Sequence, residues 1–395
     1  MNANGPSLGG ENAQNDPFFR ARSTAMIVDE VLSFIRQHRE RPFYVNAWTL
    51  LLHAPLNPTP EQLAVYAELD PRPDHPAFGP WMRDHLAAAM DLRHQMRVFC
   101  ASLTDLDTQL GRLLDGLDAM GPSSDTVILF VSDNGPGDYH IRNAANAGVG
   151  STGPLRARKR SMYEGGIRTF GLVRWPGRVA AGRRDDEFVM SALDWMPTVA
   201  SLAGAPLPAE WAGNGEDVGD VWLSARRPRR TDLHWEWLFR VVGEPAYTPP
   251  MLAVRSGPWK LFAQHDGSRV ELYHIPDDPG ERRNRAADEP AVVSNLVAKA
   301  REWQASLPPA EARARVAATG QPVDGRPAAP IPAAERDRRR QMFRHKDADG
   351  DGRMTLEEYL HRFPDAAEGR RRFPLFDLDG DGRLTEEEFI RAGRR

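Results

Sequence analysis

The chain of 395 residues carries 51 Lys and Arg against 55 Asp and Glu, a formal net charge of −4, and 41% hydrophobic residues. That length exceeds one ordinary domain and the apolar content is enough for a sizeable core, while the charge balance lacks the bulk basic field on which nucleic-acid binding relies. A single cysteine, Cys100, excludes an internal disulfide framework, and no run approaches the roughly 18 apolar residues of a membrane-spanning helix.

Residues 1–19 have neither the basic start nor the apolar centre of a signal peptide and read as a disordered or loop start. From Arg20 to His38 the apolar residues Ile27, Val28, Val31, Leu32, Phe34 and Ile35 recur at helical spacing, and Arg41-Pro42 ends the run. Phe43 to Leu51 reads as a strand that delivers His53-Ala54-Pro55 to its carboxyl end. The Pro-rich stretch Asn57–Pro80 reads as a long loop. Leu92, Met96, Phe99, Leu103, Leu106, Leu110, Leu113 and Leu117 then form one apolar stripe on a long helix, closed by Gly121-Pro122. Cys100 lies beside that stripe as a small packing residue.

Thr126 to Val131 is almost wholly apolar and β-branched, as befits a strand buried on both faces of a parallel sheet. The order helix, strand, helix, strand predicts right-handed crossovers and an α/β class with a mostly parallel central sheet flanked by helices. Ser132 to Pro136 breaks the strand, so Asp133 and Asn134 fall just past its carboxyl end, where open α/β sheets place ligands. Both offer the hard oxygens that Ca²⁺ or Mg²⁺ takes. Arg156, Arg158, Lys159 and Arg160 follow as a cationic cluster closed by Glu164-Gly165-Gly166. Alone, each feature is an ordinary turn or a solvated loop. Together, a metal loop and a fixed cation are what an anionic ester substrate needs.

Thr169 to Arg174 reads as another strand, and Asp194 to Gly204 as a helix with an acidic start, an early Pro and a closing Gly. Short strands at Leu233–Phe239, Met251–Arg255, Trp259–Phe262 and Val270–His274 predict a smaller antiparallel sheet, packed by a helix over Ala291–Leu307. Residues 308–335 are rich in Ala and Pro and read as a semi-rigid linker. Two acidic loops follow, thirty residues apart. The first carries Asp347, Asp349, Asp351, Arg353 and Glu358, and the second Asp377, Asp379, Asp381, Arg383 and Glu388. Each has oxygen ligands at loop positions 1, 3, 5 and 12, Gly at 6 and a backbone carbonyl at 7, which is the calcium-binding pattern of an EF-hand pair. Met354 and Leu384 at position 8 are placed to join the loops.

The motifs Ser132-Asp-Asn-Gly-Pro136, Gly153-Pro-Leu-Arg156 with Lys159, Tyr163-Glu-Gly-Gly-Ile-Arg168 and Val173-Arg-Trp-Pro-Gly177 closely resemble the sulfatase family, of the alkaline-phosphatase-like superfamily. Ser256-Gly-Pro-Trp-Lys-Leu261 and Glu271-Leu-Tyr273 resemble its C-terminal subdomain, so the resemblance runs from about Arg20 to Leu307. It implies a partial α/β domain over 20–231, the C-terminal subdomain over 232–307 and an appended EF-hand module over 336–395.

The resemblance further implies hydrolysis of sulfate esters. A formylglycine made from the cysteine of Cys-x-Pro-x-Arg attacks sulfur, aided by a calcium ion that Asp133 and Asn134 help to hold together with an N-terminal Asp pair. Lys159 and His53 bind the sulfate group. Partners would be calcium and a sulfated small molecule or carbohydrate, and the family is periplasmic or secreted, although no signal peptide is recognisable here. This chain departs from the pattern where Cys100 is followed by Ala-Ser-Leu-Thr, where an N-terminal Asp pair is missing, and where Arg158 and Arg160 replace glycines. It resembles a sulfatase truncated at its N-terminus and is expected to be inactive alone. A phosphate or phosphonate ester hydrolase of the same superfamily and a non-catalytic calcium-binding scaffold stay open as alternatives.

Overall fold

In the computed structural model, helix α1 (Phe19–His38) buries Ala21, Thr24, Val28, Val31 and Ile35 along one face. The structure describes residues 18–86, 91–137, 147–205, 207–208, 211, 213–237, 247–308, 333–361, 366, 369–370, 373, 376 and 382–392. Residues 1–17, residues 309–332 of the expected linker, and Asp377, Asp379 and Asp381 lie outside them. Two units make up the chain, Met1–Gln304 and Ala305–Arg395.

The strand expected over Phe43–Leu51 is not formed among the described residues. Phe43 and Val45 pack with Val31, Ile35 and Leu117, while Tyr44 and Trp48 are exposed. Alternating apolar residues here record a half-buried segment, and periodicity carries no information about a hydrogen-bonding neighbour. The loop expected over Asn57–Pro80 contains a short helix, α2 (Pro60–Ala64). Thr59 and Gln62 close its first turn as a capping box, the reason a Pro-rich stretch turns helical there.

After α3 (Pro80–Leu86) comes the long α4 (Leu92–Met120), capped by Asp91, whose carboxylate accepts from the His94 N–H, and stopped by Gly121 at φ 88°. Its buried residues are Leu92, Val98, Ala101, Ser102, Leu106 and Leu117, and Leu103 of the expected stripe is exposed. The stripe shifts because α4 packs on two partners. Leu113 and Leu117 meet α1, while Val98 and Leu106 meet Leu51 and Leu56.

Strand β1 (Ile128–Val131), the short helix α5 (Glu164–Ile167) and β2 (Gly171–Arg174) follow. β1 and β2 pair antiparallel, with Phe130 opposite Leu172, where parallel neighbours were expected. Parallel pairing needs a crossover of a dozen or more residues, usually helical, to bring the chain back to the starting end. Here the described part of the connection holds only the four-residue α5. Helices α6 (Trp195–Leu202) and α7 (Gly219–Trp222) lead to a second sheet. Asp194, wholly buried before α6, accepts from the Ser191 and Glu216 N–H groups and from Arg229.

That sheet is antiparallel, in the order β3 (Leu233–Glu236), β4 (Leu252–Ser256), β5 (Trp259–Ala263), β6 (Glu271–His274). Period-2 alternation divides its faces. Val254, Leu261 and Leu272 pack on Leu296 and Ala300 of α8 (Pro290–Ser306), whereas Ala253, Phe262 and Tyr273 pack on Ala157, Met162 and Tyr163. The sheet is thus a floor beneath the segment that carries Lys159. The unit is a mixed α/β fold with antiparallel sheets.

In the second unit, α9 (Ala333–Lys346) precedes β7 (Arg353–Thr355) and α10 (Leu356–Leu360), and β8 (Arg383–Thr385) precedes α11 (Glu386–Ala392). β7 and β8 pair antiparallel with Met354 opposite Leu384, both fully buried among Phe343, Tyr359 and Phe373. Among the described residues, no helix is long and apolar enough to cross a membrane.

Candidate functional site

The segment after β1 is joined to the segment around α5 by main chain. The Gly135 N–H donates to Gly166 O at 2.9 Å and the Lys159 N–H to Pro136 O at 3.0 Å, while within the second segment the Gly165 N–H donates to Arg156 O at 2.7 Å. A Cβ on Gly135 would lie 1.9 Å from Gly165 O, and one on Gly165 2.2 Å from Ala157 O, so glycine is required at both contacts. Asp133 is exposed and Asn134 half-buried at the head of this assembly, with Lys159 half-buried beside Pro136.

The four cations of the expected cluster have different surroundings. Arg158 is 2% exposed, and its guanidinium donates to the carbonyls of Gly137 at 3.0 Å and Gly150 at 2.6 Å, and also to Gly148 O. Arg156 stacks 3.8 Å from the Tyr163 ring centroid and donates to Tyr273 Oη at 3.1 Å. Both are internal staples that hold the segment's shape. Lys159 and Arg160 are the more accessible pair.

His53 is exposed, and its Nδ1 lies 2.7 Å from Ala54 O. Leu51, Leu52 and Ala54 around it belong to the same packed cluster as Phe130, three residues before Asp133. A main-chain bond thus ties Lys159 to Pro136, two residues past Asn134. His53 is linked to them only through its neighbours' packing. Cys100, half-buried on α4, has its thiol pushed up by burial, the opposite of an activated nucleophile.

Beneath the glycine contacts lies an ionic cluster that sequence reasoning missed. Lys260 Nζ donates to Glu164 Oε1 at 2.7 Å and lies 3.0 Å from Glu281 Oε1, and the Glu164 N–H donates to Glu281 Oε2 at 2.6 Å. All three side chains are buried. Burial works against the Glu164 charge, but Lys260, Arg255 and Arg168 outweigh it and hold its carboxyl below the usual range. Burial pushes Glu281 up to about 7, against the pull of Lys260 and with help from the negative Glu164. The signal was Lys260 itself, a lone charge inside the apolar run Trp259-Lys-Leu-Phe262.

In the second unit Asp347, Asp349 and Asp351 each present a carboxylate oxygen within 4.8 Å of the others. Gly350 and Gly352 take φ 70° and 80°, and the Gly352 N–H donates to Asp347 Oδ2 at 3.0 Å, which wraps the loop around that point. Thr355 and Thr385 cap the following helices with the same box. Glu358 Oε2 accepts from the Thr355 N–H at 2.8 Å and Glu388 Oε2 from the Thr385 N–H at 2.7 Å. The Thr355 N–H bond holds the Glu358 carboxyl below its usual range.

Calcium takes six to eight oxygens. Loop 347–358 fits that demand, since Asp347 Oδ1 is buried without a hydrogen-bond partner, a cost that a bound cation removes. Among its described residues the first unit offers only part of such a set. Asp133 and Asn134 present one carboxylate and one amide, and among the described residues three carboxylates converge only at Asp347, Asp349 and Asp351.

Comparison with known proteins places these features. A family model described as sulfatase matches residues 3–205, one described as N-sulphoglucosamine sulphohydrolase, C-terminal, matches 157–305, and one described as EF hand matches 371–392. Arylsulfatase A of Homo sapiens is 32% identical over 208 residues, covering 47% of this chain and 38% of that protein. The N-acetylgalactosamine-6-O-sulfatase of Bacteroides thetaiotaomicron is 27% identical over 280 residues, covering 69% and 49%. The chain thus spans about half or less of the length of these curated relatives. Among solved structures, that of Ps i-CgsB in complex with k-i-k-neocarrahexaose superposes with a TM-score of 0.55 at 21% identity, covering 71% of this chain and 54% of that one. At that identity the likeness speaks for the fold alone.

Proposed function

Since the chain belongs to the sulfatase family, we propose that its first unit carries the sulfate-holding part of a sulfuric ester hydrolase. In this reading the Lys159 ammonium and the His53 imidazole bind the oxygens of a sulfate ester, and Asp133 and Asn134 supply two of the oxygens of a calcium site. A fixed ammonium stabilises negative charge as it gathers on the sulfate and leaving oxygens. The observation that carries the reading is the main-chain bond from Lys159 to Pro136, which ties the cation to the loop of Asp133 and Asn134. A sulfated sugar, the kind of substrate named for the N-acetylgalactosamine-6-O-sulfatase relative, is the substrate class we assign.

Turnover needs a nucleophile, and Cys100 does not sit in a Cys-x-Pro-x-Arg run. We therefore propose that this sequence is a partial one, whose site is completed by a segment bearing the nucleophile and further metal ligands. The test pairs two measurements on the chain. Equilibrium binding of an aryl sulfate is expected, weakened about ten-fold or more by Lys159→Ala as one charged hydrogen bond is lost. Turnover at a family-like rate is not expected. Turnover abolished by Lys159→Ala would show that the nucleophile lies within these residues, and binding indifferent to Lys159 would refute its role.

A second reading concerns the other unit and rests on the Asp347, Asp349 and Asp351 convergence. We propose that it binds two calcium ions, one through Asp347, Asp349, Asp351, the Arg353 carbonyl and Glu358, the other through Asp377, Asp379, Asp381, the Arg383 carbonyl and Glu388. Calorimetry with calcium is expected to give two sites, reduced to one by Glu388→Gln. A stoichiometry of two in that variant would refute the second site.

A further inference from the structure

The antiparallel register of β7 and β8 sets Arg383 opposite Thr355 and Arg353 opposite Thr385, so each loop's seventh residue stands beside the other loop. Arg383 uses that position. Its guanidinium Nη1 lies 3.0 Å from Asp351 Oδ2, on the fifth residue of the first loop, while Asp351 Oδ1 accepts from the Arg353 N–H at 2.7 Å. Asp351 is one of the three converging carboxylates. The second loop therefore places a positive charge on a ligand of the first.

We propose that Arg383 sets the calcium affinity of the first loop from across the β7–β8 pair, weakening it as an internal counter-cation. The proposal rests on the calcium reading of this unit. In the calcium-free state the guanidinium neutralises part of the charge of Asp351. When calcium arrives, the same guanidinium is a unit positive charge beside a ligand of a divalent cation and repels it. Position seven of its own loop ligates through the main-chain carbonyl, so the side chain is not itself a ligand. Arg383→Gln thus removes the charge and leaves both ligand sets intact. The contact is partly exposed, so its effect is modest and screened by salt.

The experiment is a calorimetric titration of the full chain with calcium chloride, at low and at high potassium chloride. Arg383→Gln is expected to tighten one site about three- to ten-fold at roughly 0.02 M salt, with most of the difference gone at about 0.5 M. Arg383→Lys, which keeps the charge, is expected to stay near the wild-type affinity. On a Glu358→Gln background, which disables the first loop, the tightening is expected to vanish. Equal or weaker binding by Arg383→Gln overturns the proposal, since Arg383 would then orient Asp351 as a ligand rather than oppose the ion. Tightening that survives Glu358→Gln overturns it too. A wild-type chain that binds no calcium overturns the calcium reading instead, and the proposal with it.

Discussion

Lys260 on β5 and Glu164 on α5 meet at 2.7 Å with neither side chain more than 3% exposed. Their contact fastens the antiparallel sheet to the turn that holds Gly165 and Gly166, and through those glycines to the Asp133 loop. The ion pair is therefore a buried joint between the sheet and the candidate sulfate site, beside the packing of Tyr163 on Phe262 and Tyr273.

Lys260→Met is expected to destabilise the first unit by about 3–5 kcal/mol, because it leaves Glu164 buried without its main counter-charge. Adding Glu164→Gln and Glu281→Gln is expected to recover a large part of that loss, since no buried charge then lacks a partner. Denaturant unfolding of the single and triple variants measures both. A triple variant no more stable than the single one would count against charge burial as the cause.

Glu281 gives a pH dependence of definite sign. Its folded value, near 7, lies above the ordinary glutamate range, so the folded state holds the proton more tightly. The stability this contributes is complete below about 4.3 and is lost as pH rises through about 7. Glu164, held low, contributes with the opposite sign, losing stability only in more acidic solution. Between pH 5 and pH 8 a fall of roughly 1–3 kcal/mol is expected, and Glu281→Gln should flatten it. Unfolding midpoints across that range decide the matter, and a profile unchanged in the variant would remove Glu281 as the source.

Gly135→Ala is expected to cost about 1–3 kcal/mol or more through overpacking, since its Cβ would lie 1.9 Å from Gly165 O. Gly111→Ala is its control. That position lies inside α4 with nothing within 4 Å of an added Cβ, and the change is expected to stabilise by about 0.5–1 kcal/mol. The same unfolding experiment reads both, and only Gly135→Ala should also weaken aryl sulfate binding.

Leu172 on β2 is 60% exposed, and the half-exposed Phe170 stands two residues before it in the chain. Such an apolar ribbon edge promotes self-association. Leu172→Lys is expected to reduce light scattering at high protein concentration while changing stability by less than about 0.5 kcal/mol.

The parts of the fold legible in the sequence are those where local pattern and burial coincide. β4, β5 and β6 alternate between two faces that are both covered, so Ala253/Val254 and Leu261/Phe262 announced their strands without ambiguity. Met354 and Leu384 were legible for the same reason. The direction of β1 relative to β2 was not, because strand sequence records burial and not the polarity of a neighbour. Nor does a run of arginines tell which guanidinium turns inward. Arg158 is internal because three carbonyls converge on it, and these come from chain segments up to 21 residues away. Motif order placed Lys159 near the loop that follows β1, to which its N–H is bonded through Pro136, whereas the pairing of Lys260 with Glu164 and Glu281 is long-range and no local pattern encodes its partners.

The contacts among Gly135, Gly165 and Gly166 also have a kinetic consequence. The N–H groups of Gly135 and Lys159 both point across the contact into the other segment's main chain rather than into water. Their hydrogens can trade with deuterium only when the segments separate, so these two amides, distant in sequence, should exchange at one common, slow rate. A single opening event would then expose the whole neighbourhood of the candidate sulfate site at once.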